Sequence, residues 1–189
     1  AVLNCALADK RRLRALGHTQ TVAINLSARN LLDSLFVYNL RQAIEAADVP
    51  YGEIEFELTE TALMQDSDSC AAMLRSIAAL GIAIAVDDFG TGYSSLAYLR
   101  QLPLTALKID RSFVTGMRDN SQDEIIVRST VALAHNLGLD VIAEGVEDAR
   151  TLDALREMGC DQAQGYYLSQ PLPLDELITW LNTRTPEAA

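Results

Sequence analysis

Short apolar, β-branched segments alternate with longer segments of helical periodicity along this 189-residue chain. That alternation is typical of a parallel β-sheet whose strands are connected by helices. Six strands are predicted, at residues 21–26, 53–58, 82–86, 106–109, 140–143 and 163–168. The sequence therefore predicts one continuous α/β domain.

The predicted helices have recognisable ends. Ser121 and Glu124 fit a capping box at the start of one helix, and Gly138 follows its last turn. Asp148 precedes the next helix and Gly159 follows it. These ends agree with the periodicity, which supports the division into strands and helices.

Each predicted strand finishes in polar residues, although a strand of this kind should be buried. The polar residues, in chain order, are Asn25, Glu57, Asp87 with Asp88, Lys108 with Asp110, Glu144, and Gln164. In a parallel βα barrel all strands open onto the same face at their carboxyl ends, and active sites lie on that face. We therefore expect Glu57, Asp87 and Glu144 to converge on one pocket.

The strand count predicts part of a TIM-like (β/α) barrel. A closed barrel of this class has about eight strands, and six are predicted in this chain. The first segment, residues 1–16, has the pattern of a helix that precedes the first strand. We expect the two further strands to precede residue 1, a domain over residues 1–182 that lacks its first strands, and a disordered tail over residues 183–189.

The charge of the chain limits its partners. The formal net charge is −11 and the basic residues are scattered, which argues against binding a nucleic-acid polymer. A phosphate-containing substrate would need a positive group between itself and so acidic a protein, and a divalent metal ion is the obvious candidate.

The apolar runs and the cysteines indicate the compartment. No apolar run approaches the ~18 residues that span a bilayer, so direct membrane insertion is not expected. The three cysteines are widely spaced and form no paired metal motif, which favours reduced thiols. We expect a cytoplasmic protein, or the cytoplasmic part of a membrane-anchored one.

Six segments of the chain resemble the EAL family of cyclic-di-GMP phosphodiesterases, and they occur in the family's order. The segments are AINLSARN at 23–30, ELTET at 57–61, VDDFGTGYSSLAYLRQLP at 86–103, LKIDRSFV at 107–114, VIAEGVE at 141–147, and GCDQAQGYYLSQPLP at 159–173. The Glu-Ala-Leu tripeptide that names the family does not occur in this chain. In the family it lies on an early strand, one of the two that the barrel count lacks.

The resemblance implies metal-dependent hydrolysis of cyclic di-GMP to linear pGpG in bacterial second-messenger signalling. It implies two ions per site, Mg²⁺ or Mn²⁺, which prefer oxygen ligands. Asn25, Glu57 and Asp87 would hold one ion together with the Glu of the absent tripeptide. Asp87 would bridge to a second ion, which Asp88 also holds. Because one carboxylate is absent, weakened metal binding is expected for this chain.

The resemblance also assigns catalytic roles beside Asp87. Lys108 would meet the attacking water or a phosphate oxygen, and the alternative is a structural ion pair with Asp87 or Glu144. Glu144 would position or deprotonate the water, and burial among carboxylates could raise its proton affinity as a base requires. The alternative for Glu144 is an outer-sphere metal ligand, and the sequence leaves both alternatives open.

Glu60 would steady the loop over residues 90–95. Gly90 and Gly92 give that loop backbone freedom beside the metals, and the alternative is a plain connecting turn. By resemblance the loop also contributes to contacts in a homodimer.

The substrate residues implied by the family are Gln164 and Tyr166, in a region that contacts guanine and ribose phosphate. Core packing is the alternative for the tyrosine. Asp110 is expected to support Lys108 or the substrate.

Two wider expectations follow from the resemblance. Members of the family are often the output module of a longer protein, so sensory or cyclase domains are expected upstream. Some members have lost metal ligands and act as receptors for cyclic di-GMP, which makes a catalytically inactive binding module the alternative function. This chain keeps the ligands that those members tend to lose, which favours the enzyme.

Overall fold

The protein folds into a single parallel sheet covered by helices. The structure is a computed structural model, and it describes residues 2–63, 67–92 and 96–183. Within these residues six strands pair in sequence order, each parallel to the next. The strands are β1 Val22–Asn25, β2 Ile54–Thr59, β3 Ala83–Phe89, β4 Ala106–Ile109, β5 Asp140–Glu144 and β6 Gln162–Gln164.

The helices follow the same alternation. They are α1 Val2–Ala15, α2 Ala28–Leu31, α3 Phe36–Ala47, α4 Glu60–Leu63, α5 Ser67–Ala78, α6 Leu96–Leu99, α7 Arg111–Gly116, α8 Ser121–Asn136, α9 Ala149–Glu157 and α10 Leu174–Thr183. The predicted tail, 183–189, lies outside the described residues except for Thr183, which ends α10. Among the described residues, every helix is too short or too polar to span a membrane.

The predicted strands are confirmed, and only two differ from the prediction by more than one residue at an end. β3 runs on to Phe89 because Asp87 and Asp88 continue it as a bulge. β6 ends at Gln164 rather than at residue 168, so the longer prediction is wrong. A turn replaces its second half, in which the carbonyl oxygen of Gly165 accepts hydrogen bonds from the N–H groups of Leu168 and Ser169.

The predicted cap of α8 is also wrong. Asn120 rather than Ser121 caps this helix, and its side-chain oxygen accepts a hydrogen bond from the Gln122 N–H at 3.0 Å. An amide side chain directly before the helix reaches its free N–H groups, which satisfies the same requirement one residue earlier. The start of α9 is as predicted, with Asp148 accepting from the Thr151 N–H at 2.8 Å.

The two faces of the sheet differ in chemistry. The outer face is buried under the helices and is apolar, with Ile24, Phe56, Ile84, Leu107 and Val141 on successive strands. The inner face carries the alternate residues of each strand, because neighbouring side chains point to opposite faces. Its buried apolar cluster is small and consists of Ala85, Ala106 and Ile142. The rest of the inner face is therefore available to polar side chains.

A buried lysine attaches α1 to the sheet. Lys10 is 1% exposed, and its ammonium donates to the backbone oxygens of His18 and Gln20. The same ammonium lies 2.7 Å from Glu53 Oε2, next to the start of β2. Arg14 pairs with the other oxygen of Glu53. One charge thus connects the helix, the turn before β1 and the start of β2.

We predict that Lys10→Met destabilises the fold by about 2 kcal/mol, because it leaves buried acceptors without a donor. Arg12→Met is the matched control on the same helix, since Arg12 forms an exposed ion pair with Asp175 at 2.7 Å. The control should change stability by less than about 0.5 kcal/mol. Urea denaturation measures both variants. Equal effects would show that the buried network does not hold α1.

Candidate active site at the carboxyl ends of the strands

A bulge in β3 brings two adjacent carboxylates to the mouth of the sheet. Val86 pairs with Leu107 and Phe89 pairs with Ile109, so β3 contains one more residue than β4 over this interval. Asp88 takes up the extra length with φ at +54°, in the left-handed region that Asp tolerates better than most residues. The strict alternation of a strand is interrupted there, and both Asp87 and Asp88 reach the site.

Asp87 and Asp88 meet a carboxylate from β5. Asp87, Asp88 and Glu144 each offer an oxygen, and these oxygens lie within 4.8 Å of one another. Each of the three residues is half-buried. Three hard oxygen donors at this spacing fit a divalent cation such as Mg²⁺ or Mn²⁺.

Lys108 on β4 lies at the centre of the site. It is 3% exposed, and its ammonium contacts three carboxylates, one each from β2, β3 and β5. The distances from Nζ are 2.7 Å to Glu57 Oε1, 3.2 Å to Asp87 Oδ1 and 2.6 Å to Glu144 Oε1. The ion pairs with Asp87 and Glu144 are the ones expected if Lys108 has a structural role. The same contacts place its ammonium in the pocket where Glu57, Asp87 and Glu144 were predicted to converge.

The charges at the site shift one another's proton affinities. Burial works against the charged ammonium of Lys108, but the carboxylates of Glu144 and Glu57 outweigh it and raise the pKa of Lys108. Burial raises the pKa of Glu144, and the nearby carboxylates of Asp87 and Glu57 add to this while Lys108 opposes it. Burial, then Asp87, then Asp110 raise the pKa of Asp88. An acidic cluster with raised pKa values favours binding of a cation.

Asp110 contacts Asp88 rather than the lysine that the sequence suggested. Its side chain caps α7 by accepting from the Ser112 N–H at 3.0 Å, and it shares a hydrogen bond with Asp88. Burial alone would raise the pKa of Asp110, but the hydrogen bonds from Ser112 outweigh it and the pKa is lowered. The described contacts give no support to the prediction that Asp110 supports Lys108, because capping of the helix turns the Asp110 carboxylate toward α7. Contact with a substrate stays a prediction.

Glu60 makes the loop contacts expected of it. It begins α4, is 3% exposed, and its Oε2 accepts from the N–H groups of Gly90 and Gly92, each at 3.1 Å. A Cβ at position 92 would lie 2.9 Å from Glu60 Cδ, so a residue with a side chain there would push the carboxylate away. Residues 93–95 of the predicted loop lie outside the described residues.

Asn25, Gln164 and Tyr166, here called the rim residues, lie at or just beyond the carboxyl ends of β1 and β6. Asn25 ends β1 opposite Glu57 in the ladder, and Gln164 ends β6 opposite Glu144. Both are exposed, since β1 and β6 are the edge strands of the described sheet. Tyr166 is 64% exposed, which argues against the core-packing alternative for this ring.

Glu55, which was not predicted from the sequence, lies two residues before Glu57 on the same face of β2. Glu55 and Glu57 line a cavity of about 270 Å³ on the inner face together with Lys108. Burial first, and then Glu57, raise the pKa of Glu55. The period-2 alternation in the segment from 53 to 58 was the available signal for this residue.

The geometry defines a class of protein: a (β/α) barrel domain with a carboxylate-rich site, of a kind that can hold a metal ion, at the carboxyl ends of its strands. Within that class the chain belongs to the EAL domain family, whose family model matches residues 1–171.

Curated and solved relatives agree with the family. The chain is 44% identical over 189 residues to the cyclic di-GMP phosphodiesterase NbdA of Pseudomonas aeruginosa, covering 100% of this chain and 24% of NbdA. It is 37% identical over 180 residues to the cyclic di-GMP phosphodiesterase PA2567 of the same organism, covering 95% of this chain and 31% of the relative. The chain thus spans less than a third of the length of these relatives.

Solved structures confirm the TIM-like fold. The PaMucR phosphodiesterase in complex with c-di-GMP superposes with a TM-score of 0.89 at 38% identity, over 93% of this chain and 71% of that one. The EAL domain of Mycobacterium smegmatis DcpA superposes with a TM-score of 0.91 at 38% identity, over 97% of this chain and 84% of that one.

We predict that Lys108→Met tightens Mn²⁺ binding about tenfold, because the ammonium competes with a divalent cation for the same carboxylates. Calorimetric titration of the two proteins with Mn²⁺ measures the change. Arg128→Met is the charge-matched control, since Arg128 pairs with Glu124 at 3.0 Å on the exposed surface of α8. Unchanged or weaker Mn²⁺ binding in Lys108→Met would separate Lys108 from the cation site.

Proposed function

We propose that this chain is a metal-dependent phosphodiesterase that hydrolyses cyclic di-GMP to linear pGpG in bacterial second-messenger signalling. The observation that carries the proposal is the meeting of Asp87, Asp88 and Glu144 within 4.8 Å beside the buried ammonium of Lys108. The names of relatives at 44% and 37% identity supply the substrate. The arrangement suits an anionic substrate only with cations present, because the chain carries a net charge of −11.

Two groups of residues on this chain are proposed to hold two divalent ions, Mg²⁺ or Mn²⁺. Asp87 and Asp88, with Glu144 close by, would hold one ion at the bulge. Asn25, Glu57 and Asp87 would hold the other, since Asn25 and Glu57 are paired in the ladder at the same level. When bound, such ions neutralise phosphoryl charge and make a water molecule nucleophilic near neutral pH.

Lys108 and Glu144 act on the reacting groups. The raised pKa of Lys108 keeps its ammonium protonated, so it can donate a hydrogen bond to a phosphoryl oxygen as negative charge develops there. Glu144 lies 2.6 Å from that ammonium, and burial raises its pKa toward the range in which a carboxylate can accept a proton from water. Asp87 orients the ammonium of Lys108 through its own contact with that group at 3.2 Å.

The rim residues are proposed to bind the nucleotide. Gln164 and Tyr166 lie beside the Glu144 end of the site and are exposed, so their polar groups and the ring are available to a base or ribose. Asp110 lies on the Asp88 side and is proposed to face the substrate there. Glu60 is proposed to hold the loop containing Gly90 and Gly92 in position beside the metals.

The wider setting is also proposed by analogy with the relatives. Curated relatives three to four times as long as this chain support sensory or cyclase domains upstream, and the EAL-type domain is proposed to cover residues 1–182. We propose a cytoplasmic homodimer with dimer contacts near the loop at residues 90–92. A further strand carrying the family's Glu-Ala-Leu segment is proposed to complete the ion site formed by Asn25, Glu57 and Asp87.

Incubation of the chain, extended upstream to include the Glu-Ala-Leu strand, with cyclic di-GMP and Mn²⁺ should yield pGpG, detected by chromatography. Asp87→Asn should reduce turnover by at least about a hundredfold, since it removes a carboxylate proposed to be shared by both ions. Asp153→Asn is the control, because Asp153 is exposed on α9 and pairs only with its neighbour Arg156 among the described contacts.

The outcome also separates the enzyme from a receptor. Binding of cyclic di-GMP without any pGpG, in both the chain and a version extended upstream, would contradict hydrolysis and establish the binding module instead. If cyclic di-GMP is neither bound nor hydrolysed, both functions are contradicted.

A further inference from the structure

Two turns at the mouth of the site are joined through the backbone of one buried residue. Val146 lies in the turn after β5, two residues beyond Glu144, and is 0% exposed. Its N–H donates to the backbone oxygen of Gln164 at 3.0 Å, and its own carbonyl oxygen accepts from the Tyr167 N–H at 3.0 Å. The turn after β6 is therefore bonded to the turn that follows Glu144.

Gly165 lies where these two turns approach most closely. A Cβ at position 165 would lie 2.2 Å from the carbonyl oxygen of Val146 and 2.3 Å from its nitrogen. Nonbonded heavy atoms need about 3.5 Å, so any side chain at 165 forces the two backbones apart. Backbone atoms cannot rotate away as a side chain can. The two hydrogen bonds through Val146 therefore require glycine at this position.

A second glycine holds the other side of the same turn. Gly145 has φ at +75°, and a Cβ there would lie 2.5 Å from Arg111 Cβ and 3.1 Å from Arg111 Cα. The turn after Glu144 thus packs directly on the first turn of α7, and Thr115 Oγ1 lies 3.5 Å from the carbonyl oxygen of Gly145. Glu144 is followed by a turn that contacts α7 on one side and the β6 turn on the other.

We propose that Gly165 is a positioning residue for nucleotide binding, which sets the distance between the β6 turn and Glu144. The β6 turn carries Gln164 and Tyr166, so the inference rests on the proposed function. Val146 is held by the core and by the packing of Gly145 on α7, whereas Gln164 and Tyr166 on either side of Gly165 are exposed. A side chain at 165 therefore displaces the β6 turn and leaves Glu144 in place.

The two glycines should consequently affect different steps. Gly165→Ala moves the rim residues by roughly 1 Å, and the loss of one or two hydrogen bonds to the nucleotide should raise KM for cyclic di-GMP about tenfold or more, with a smaller change in kcat. Gly145→Ala moves the turn away from α7 and carries Glu144 with it. It should weaken Mn²⁺ binding and lower kcat about a hundredfold, the effect of misplacing a reacting group by about 1 Å.

Steady-state kinetics on the full chain at saturating Mn²⁺, with calorimetric titration of Mn²⁺ alone, test the split. Gly52→Ala is the matched control, because a Cβ at position 52 would meet only the Gly81 oxygen at 4.0 Å, and it should behave as wild type. An unchanged KM in Gly165→Ala, or the same pattern in the two site variants, would overturn the inference. If wild type neither binds nor hydrolyses cyclic di-GMP, the proposed function is wrong, and the role of Gly165 in positioning the nucleotide is wrong with it. A difference in Mn²⁺ affinity between the two variants would then support only the spacing of the two turns.

A measurement on wild type tests the link between the two turns even if one of the glycine variants does not fold. The amide hydrogens of Val146 and Tyr167 should exchange slowly in NMR-detected hydrogen exchange, since each is bonded across the two turns. Rapid exchange of both would show that the turns are not joined, and the inference would be wrong.

Discussion

The site depends on one buried ammonium that faces three carboxylates. Lys108 compensates Glu57, Asp87 and Glu144, which reach it from β2, β3 and β5 at 2.6 to 3.2 Å. Carboxylates this close repel one another strongly at low dielectric unless a positive charge lies among them. The lysine therefore permits an acidic pocket to form, and the same carboxylates remain able to bind divalent cations. The structural role of Lys108 and its proposed catalytic role therefore depend on the same contacts.

Parallel topology brings these side chains together, and irregularities refine the arrangement. The ladder register aligns Asn25 with Glu57 and Glu144 with Gln164, so regular pairing places these four site residues in two pairs near the carboxyl ends of their strands. The bulge in β3 adds Asp88 beside Asp87, which a regular strand would have directed to the opposite face. Glycine then controls the spacing of the turns beyond the strands, at position 92 against Glu60 and at position 165 against Val146.

The sequence was sufficient to predict the parts of the fold that rest on local pattern. Short apolar, β-branched runs located the six strands of the described sheet, and polar strand ends predicted from the sequence alone that Glu57, Asp87 and Glu144 converge. The details that were missed depend on contacts between distant segments. The early end of β6 follows from the approach of Gly165 to Val146, the helix-capping role of Asp110 depends on the turn into α7, and Glu55 gains importance only when the inner face curls around it. The first two are not encoded in the spacing of one segment, whereas period-2 alternation over residues 53–58 already places Glu55 on the same face as Glu57.

The central claim is that carboxylates from separate strands gather around divalent cations at one mouth of the sheet. Anomalous diffraction from a crystal of this chain grown with Mn²⁺ tests it most directly, because manganese is located without reference to any assumed ligand. The account predicts a peak within coordination distance, about 2.2 Å, of oxygens from Asp87 and Asp88, with Glu144 adjacent. Manganese bound elsewhere on the surface, with these three carboxylates free of metal, would contradict it.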